Sequence, residues 1–333
     1  MVDKVILVTD YTWSSTAPEA QVLAEVGGTL VLAQTGTEQE LLGLVPQADA
    51  ILTCFAKVPA SVIRAGTKLQ VVGRYGIGVD NIDVAEATRL GIPVTNVPAY
   101  CLDEVAEHAL ALLLACARKV VSYHNAVRAG NWSLKTGMPM YRVRGQVLGV
   151  LGFGKIGQTL ATKAQAFGLT IIAHDTFVKP EVFPQYAAEP VSLDELFARS
   201  DFISIHTPLT PETRGLVNAA RLRQMKPTAY VINTARGPVI DQQALLQALH
   251  DHWIAGAALD VFDPETLPAD HPLLAEPGLI ATPHVAFYSE ESVLELEIKA
   301  ARNVAAILSG VRPEFTVNPE VYALPRWQQL RTP

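Results

Sequence analysis

Short, uninterrupted apolar runs alternate with helix-period segments along nearly the whole chain. Residues 5–9 (VILVT), 29–33 (TLVLA), 50–54 (AILTC) and 69–73 (LQVVG) read as strands, and none alternates apolar with polar positions. Strands lacking that alternation are buried on both faces, the pattern of a parallel sheet flanked by helices. A helical segment, PEAQVLAEV, begins at Pro18 between the first two. These elements make a first α/β unit that ends near residue 101.

Residues 103–119 read as one long helix, acidic at its start and basic at its end, which complements the helix dipole. Its apolar residues cover most of the circumference, so it is expected to be buried between domains or in a subunit interface. A loop with Gly130, Gly137 and Pro139 follows, and the strand pattern restarts at residue 146. Six strand candidates come next: 146–151, 169–174, 201–206, 229–233, 255–261 and 278–282. Helical stretches at 157–167, 193–200 and 242–250 separate most of them, and six strands in a βαβ series suffice for a complete dinucleotide-binding domain. A last helix at 289–308 leads to a short tail. That return predicts a discontinuous first domain, residues 1–101 plus 290–333, with 102–289 inserted into it. The two long helices at 103 and 289 would be the crossovers and the hinge. No internal repeat or low-complexity segment interrupts the pattern.

The chain length, 333 residues, fits two domains, and 49% hydrophobic with 18% charged residues is a globular composition. A net charge of −7 argues against nucleic acid and against an anionic membrane surface as partners. It leaves room for a small anionic substrate, since one or two local arginines outweigh a diffuse background. Cys54, Cys101 and Cys116 are too few and too scattered for a disulfide framework or a thiolate metal site, which implies a reducing compartment. The N-terminus reads as a strand rather than a signal peptide, and the apolar helix near 106–117 contains His108 and is too short to span a bilayer. A soluble, cytoplasmic protein is expected.

The strongest local motif is GFGKIG, residues 152–157, a GxGxxG match. Such spacing arises by chance, but here a strand precedes it and an amphipathic helix starts inside it. Gly152 would permit the tight turn, Gly154 the approach of a pyrophosphate, and Gly157 close helix–strand packing, with Lys155 and Ile156 opening the helix. The helix N-terminus supplies N–H donors for phosphate. Asp175 lies 18 residues beyond Gly157, immediately after a strand. A carboxylate there accepts from both ribose hydroxyls and repels a 2′-phosphate, so NAD is expected over NADP. Nearby Lys179 is the one residue that keeps NADP in view. The fold class is therefore α/β with two Rossmann-like or flavodoxin-like domains, the NAD-binding one a doubly wound parallel sheet inserted into the substrate domain.

Three later strand ends offer chemistry. Asn233-Thr234-Ala235-Arg236-Gly237 closes one strand, and ligands of open α/β sheets sit at carboxyl ends. The Arg236 guanidinium could hold a carboxylate and polarise a neighbouring keto oxygen. Asp260 ends the next strand, with Glu265 five residues later, and His284 ends the last. An imidazole at a strand terminus with a carboxylate to orient it is the usual arrangement of a general acid/base. His250, His252 and His271 read as solvated, and His108 and His124 as core or interface residues. No metal-ligand spacing is present, so no metal is expected.

At this point the sequence resembles the D-isomer-specific 2-hydroxyacid dehydrogenases. The resemblance covers about residues 69–318 and rests on RYGIGVDNID (74–83), VLGFGKIGQ, HTPLTPETRGLV (206–217), NTARGPVID (233–241), LDVFDPE (259–265) and TPHVAFYSEES (282–292). By position it implies that Arg236 binds substrate, that Glu265 pairs with the histidine and that His284 donates the proton. It implies that Asp260 holds the nicotinamide carboxamide, while Thr207, Pro208 and Thr213 line the adenosine side and Thr234 and Ala235 also border the cofactor. The turn of Arg74, Tyr75, Gly76, Ile77 and Gly78 would receive the substrate carboxylate on its backbone N–H groups, with Ile77 near the nicotinamide. Within the family, NVPAYCLDEVAEHAL (96–110) and the run after His284 look nearest to the C-terminal-binding-protein branch. Phe287 departs from the small residues common after the histidine and puts a ring beside the substrate. Thr266 stands where the family often has proline.

The resemblance implies hydride transfer between NAD(H) and the α-carbon of a 2-keto or 2-hydroxy acid, such as glyoxylate, hydroxypyruvate or a larger acid. It also implies a homodimer formed through the 103–119 helix. Two other readings stay open: an NAD(H)-sensing, corepressor-like binding protein on a dehydrogenase fold, and a phosphoglycerate dehydrogenase. A formate or phosphite dehydrogenase fits less well. Phe55, Lys57, Tyr75, Tyr100 and Phe287 are the candidate pocket residues.

Overall fold

The apolar runs of the first hundred residues form a five-stranded parallel sheet in the computed structural model, which describes residues 3–331. Its strands are β1 (Lys4–Val8), β2 (Gly28–Leu32), β3 (Ala50–Thr53), β4 (Val71–Arg74) and β5 (Val94–Thr95). The order β2-β1-β3-β4-β5 is the flavodoxin-like one. β3 and β4 are buried at every position, as their unbroken apolar runs require. One face carries the helices Glu38–Leu44, Ala60–Ala65 and Val84–Arg89, packed through Leu41, Val62, Ile63 and Ala87. The other carries the helices Ala17–Ala24 and Glu290–Leu308, the latter so close that a β-carbon on Gly73 of β4 would sit 2.8 Å from the Val304 side chain. A capping box between Ser289 and Ser292 starts that long helix.

Residues 146–282 form a second sheet of seven parallel strands. These are β6 (Val147–Leu151), β7 (Thr170–His174), β8 (Ala188–Pro190), β9 (Phe202–Ile205), β10 (Tyr230–Asn233), β11 (Gly256–Leu259) and β12 (Leu279–Ala281). The order β12-β11-β10-β9-β6-β7-β8 reverses direction between β6 and β9, which is the doubly wound pattern. On one face the helices Leu102–Ala117 and Lys155–Gln165 cover Leu148, Val150 and Ile171 with Leu113, Leu160 and Ala161. On the other, Leu196, Phe197, Leu245 and Ala248 cover Leu151, Ile203 and Val231. By its contacts the chain divides into two compact units, Met1–Tyr100 with Ser289–Pro333, and Cys101–Tyr288.

Three elements differ from expectation. The second sheet has seven strands rather than six, because β8 has two exposed residues of three and ends in Pro190. β5, two residues long, carries no period a pattern could reveal. The helix expected over 103–119 stops at Ala117; Lys119 turns left-handed (φ 54°) and starts a separate helix, Val120–Arg128, that buries no residue. Among the described residues no helix is long and apolar enough to cross a membrane.

Candidate active site

The reversal point of the seven-stranded sheet is built by glycine. Gly152 follows β6 with φ 90°, and a β-carbon there would lie 2.7 Å from the His206 carbonyl carbon and the Thr207 nitrogen after β9. A β-carbon on Gly157 would lie 2.4 Å from the Gly152 oxygen. Both glycines are therefore required by the protein itself. Gly154 is different: it caps the helix Lys155–Gln165, and its missing β-carbon would meet nothing within 4 Å. The open approach and the helix N-terminus form a cradle of backbone donors suited to a pyrophosphate. Lys155 is exposed at the first helical position and Ile156 half-buried.

Asp175 stands beside this turn. Its Oδ2 accepts the Phe153 N–H at 2.8 Å and its Oδ1 those of Phe177 and Val178 at 2.7 and 2.9 Å. Three N–H bonds fix the carboxylate and fill Oδ1, while Oδ2 keeps acceptor capacity for one hydroxyl. The hydroxyls of Thr207, after β9, and Thr234, after β10, are buried without a partner among the described residues. Buried polar atoms are normally satisfied, so two orphans at the carboxyl ends of neighbouring strands fit a polar ligand such as a dinucleotide. Thr213 is engaged within its own loop: its hydroxyl donates to Pro208 O at 2.6 Å and accepts the Thr210 N–H at 2.8 Å, which shapes the 207–213 segment.

At the end of β10 the buried Asn233 accepts the Ala235 N–H at 3.0 Å and donates to Arg236 O at 2.9 Å, folding the 234–236 turn. Arg236 is half-buried and its Nη1 donates to Ala235 O at 2.7 Å. The next residue is held close: a β-carbon on Gly237 would overlap Phe262 O at 2.0 Å. At the end of β11, Asp260 is fully buried and clamps the chain that follows β12. Its Oδ1 accepts the Thr282 hydroxyl at 2.5 Å and the Val285 N–H at 3.0 Å, and its Oδ2 accepts the Ala286 N–H at 2.9 Å. The His284 N–H donates to Asp260 O at 2.8 Å. This clamp encloses His284, whose φ of 54° is a left-handed conformation that a side-chain-bearing residue adopts at a cost. His284 Nδ1 is hydrogen-bonded to Glu265 Oε1, and the Phe287 ring stands edge-on to the imidazole at 6.2 Å.

Reasoning from the sequence missed several supports. Asn233 shapes the arginine turn, and His108 on the helix Leu102–Ala117 places Nε2 3.1 Å from Thr282 Oγ1 and 3.6 Å from Asp260 Oδ1. His206, which meets the Gly152 turn, has its pKa lowered to about 4 by burial and is neutral. Their signal was only a polar residue inside or at the edge of an apolar run. Of the histidine expectations, His124 is exposed in the single chain, which removes the core half of its reading and leaves the interface half, and His271 accepts the Leu273 N–H at 3.2 Å, capping a short turn. Among the described residues no group of three or more His, Cys, Asp or Glu is placed to hold a metal ion. All three cysteines are buried, and burial pushes Cys54 and Cys116 up to about 12.

In the five-stranded unit the 74–78 turn follows β4. Arg74 and Tyr75 are buried, and the Tyr75 side chain turns inward, its hydroxyl donating to Glu19 Oε1 at 2.9 Å. The Tyr75 phenol is thus interior rather than a pocket wall. Tyr75 N–H donates to Thr53 O and Gly76 N–H to Arg74 O, while Asn96 Nδ2 holds Ile77 O at 2.8 Å. Phe55 is half-buried and Lys57 exposed after β3; Tyr100 is buried.

The profile of the D-isomer specific 2-hydroxyacid dehydrogenase NAD binding domain matches residues 110–286, the glycine cradle and the three strand ends included. The chain belongs to the D-isomer specific 2-hydroxyacid dehydrogenases. It is 42% identical over 290 residues to a glyoxylate reductase of Aeropyrum pernix, covering 85% of this chain and 87% of that one. It is 41% identical over 285 residues to a D-3-phosphoglycerate dehydrogenase of Synechocystis, covering 85% of this chain but 51% of that protein. A D-lactate dehydrogenase from Aquifex aeolicus, solved with NAD and lactic acid, superposes with a TM-score of 0.84 at 28% identity, covering 96% of this chain and 98% of the other. For a 2-hydroxyacid dehydrogenase of this family, the seven-stranded unit is the NAD-binding domain.

Proposed function

We propose that this dehydrogenase interconverts a small 2-keto acid and the D-2-hydroxy acid with NAD(H), acting on the CH–OH group. The observation that carries the reading is the Glu265–His284 pair held on the Asp260 clamp, with Arg236 on the neighbouring strand end. The cofactor would lie on Gly152, Gly154 and Gly157, with Asp175 accepting from the ribose and Thr207 and Thr234 donating from the strand ends. When bound it supplies the hydride. Glu265 engages Nδ1 of His284, and the opposite ring nitrogen, Nε2, delivers a proton to the keto oxygen. Arg236 grips the carboxylate and stabilises the charge that develops on that oxygen. Within the 74–78 turn, Ile77 and Gly78 carry the N–H groups assigned to the substrate carboxylate. Asp260 serves mainly as the clamp of the histidine turn, with capacity left for one further donor such as the nicotinamide carboxamide. Phe287 stands beside His284 and sets the room for the substrate side chain. The buried thiols of Cys54 and Cys116 support a cytoplasmic setting.

The test is NADH oxidation by the purified protein against glyoxylate, hydroxypyruvate, phenylpyruvate and larger 2-keto acids, with NADPH in parallel. Turnover on at least one acid with NADH preferred is expected, and Asp175→Ala reduces that preference about tenfold or more by removing the 2′-phosphate repulsion. Activity on 3-phosphohydroxypyruvate above all others would favour the phosphoglycerate reading. Tight NADH binding with no turnover on any acid would overturn the enzyme reading and favour an NAD(H)-sensing protein.

A homodimer is part of the same proposal. The helix Val120–Arg128 buries nothing, and Trp132 (82% exposed), Leu134 (70%) and Met138 (63%) follow it, an apolar stretch that a second copy would cover. Light scattering after size exclusion is expected to give twice the chain mass; a monomer would refute the assignment.

A further inference from the structure

The five-stranded unit buries two carboxyl groups that the reaction does not use. The helices Ala17–Ala24 and Glu290–Leu308 pack side by side, and each sends one glutamate inward. Glu19 is 0% exposed and Glu297 5%. Glu19 Oε1 accepts the Tyr75 hydroxyl at 2.9 Å, but Glu19 Oε2 and Glu297 Oε1 are both buried with no donor among the described residues. Ionised carboxylates are acceptors only, so neither can satisfy the other while both are charged. A proton between the two orphaned oxygens satisfies both at once.

None of the surrounding groups among the described residues donates to either orphaned oxygen. The Tyr75 hydroxyl is already committed to Glu19, and burial with the two glutamates beside it raises Tyr75 well above its ordinary value, so it stays neutral. Cys54, after β3, is likewise pushed up by burial and carries no charge. Asp10, after β1, is engaged by the N–H groups of Cys54, Phe55 and Ala56. Arg74 directs Nη1 to Tyr75 O, and the Trp13 ring packs edge-on against Tyr75 at 4.9 Å. Burial, with Glu19 beside it, pushes Glu297 up to about 8.

We propose that Glu19 and Glu297 share one proton and that, through Tyr75, this pair positions the 75–78 turn. The functional half rests on the reading of that turn as the substrate-carboxylate loop. Glu19 and Glu297 are then positioning residues that touch neither substrate nor cofactor. The folded unit keeps a proton that the unfolded chain releases above its ordinary glutamate pKa. Stability from the pair is therefore complete at acid pH and declines as pH rises toward 8. Above that, two facing charges push the helices apart and loosen Tyr75, so substrate binding weakens while NADH binding in the other unit does not.

Glu297→Gln tests this, since the amide is a permanent donor to Glu19. In the wild type the melting temperature is expected to fall between pH 5 and 9 more steeply than in Glu297→Gln. Hydrogen exchange of residues 75–78 at pH 9 is expected to be faster in the wild type than in the variant. KM for the best 2-keto acid should rise about tenfold from pH 7 to 9 in the wild type and stay flat in the variant, with the NADH Kd unchanged in both. Parallel melting profiles in both proteins would overturn the shared proton. Different melting profiles with equal exchange at 75–78 would overturn the coupling to the turn. If no acid turns over, the proposed function fails, and melting and exchange still decide the pair. Glu19→Gln, which can donate to Glu297 from the other side, repeats the test should Glu297→Gln fold poorly.

Discussion

His284→Ala is expected to lower turnover of the preferred 2-keto acid by about 10²–10⁴-fold, the range for losing a positioned general acid. The fold around the site should survive, because the Asp260 clamp works through Thr282 Oγ1 and the N–H groups of Val285 and Ala286 and never through the imidazole. The left-handed backbone at residue 284 costs roughly 1–2 kcal/mol whether histidine or alanine occupies it, so the substitution adds little strain. NADH binding, assigned to the glycine cradle and Asp175, should be unchanged. The measurement pairs NADH titration by fluorescence with the rate of NADH oxidation at saturating acid. Wild-type turnover in the variant would remove His284 from the chemistry, and lost NADH affinity would show that the change reached beyond proton transfer.

The left-handed φ of His284 joins what was legible in the sequence to what was not. Strand-end position and the Glu265 partner were readable, because a strand that stops on Thr-Pro-His with an acid nearby has a recognisable pattern. The clamp was not, since three acceptor bonds converging on one buried carboxylate depend on the registry of β11 and β12. Asp260 was accordingly read as a cofactor ligand, and its hold on residues 282–286 emerged only from three dimensions. His108 illustrates the same limit, lying 174 positions from the threonine it meets.

The sheets were legible for the converse reason. β1, β3, β4 and β6–β7 are buried on both faces and announce themselves as apolar runs, and the loop at 152–157 sits where one of those runs ends. β8 and the helix Val120–Arg128 bury too little to leave a period. Tyr75 was misplaced because a tyrosine in a turn looks like a pocket residue. Only the buried Glu19, far away in sequence, explains why its hydroxyl points inward.

Arg236→Ala is expected to cost about 10²–10³-fold in kcat/KM, roughly 3–4 kcal/mol of transition-state stabilisation, the scale for removing a preorganised donor from a developing oxyanion. The loss should appear in both kinetic parameters: KM rises because the carboxylate loses its grip, and kcat falls because the keto oxygen is no longer polarised. Arg236→Lys should recover only a small part, since an ammonium lacks the planar fork that can serve carboxylate and carbonyl together. The turn itself should persist in both variants, because Asn233 bridges Ala235 N–H to residue 236 O through main-chain atoms and Gly237 remains packed on Phe262. Comparing the two substitutions separates charge from geometry. Full recovery by lysine would reduce Arg236 to a point charge, and unchanged kcat/KM in the alanine variant would place the substrate carboxylate elsewhere in the molecule.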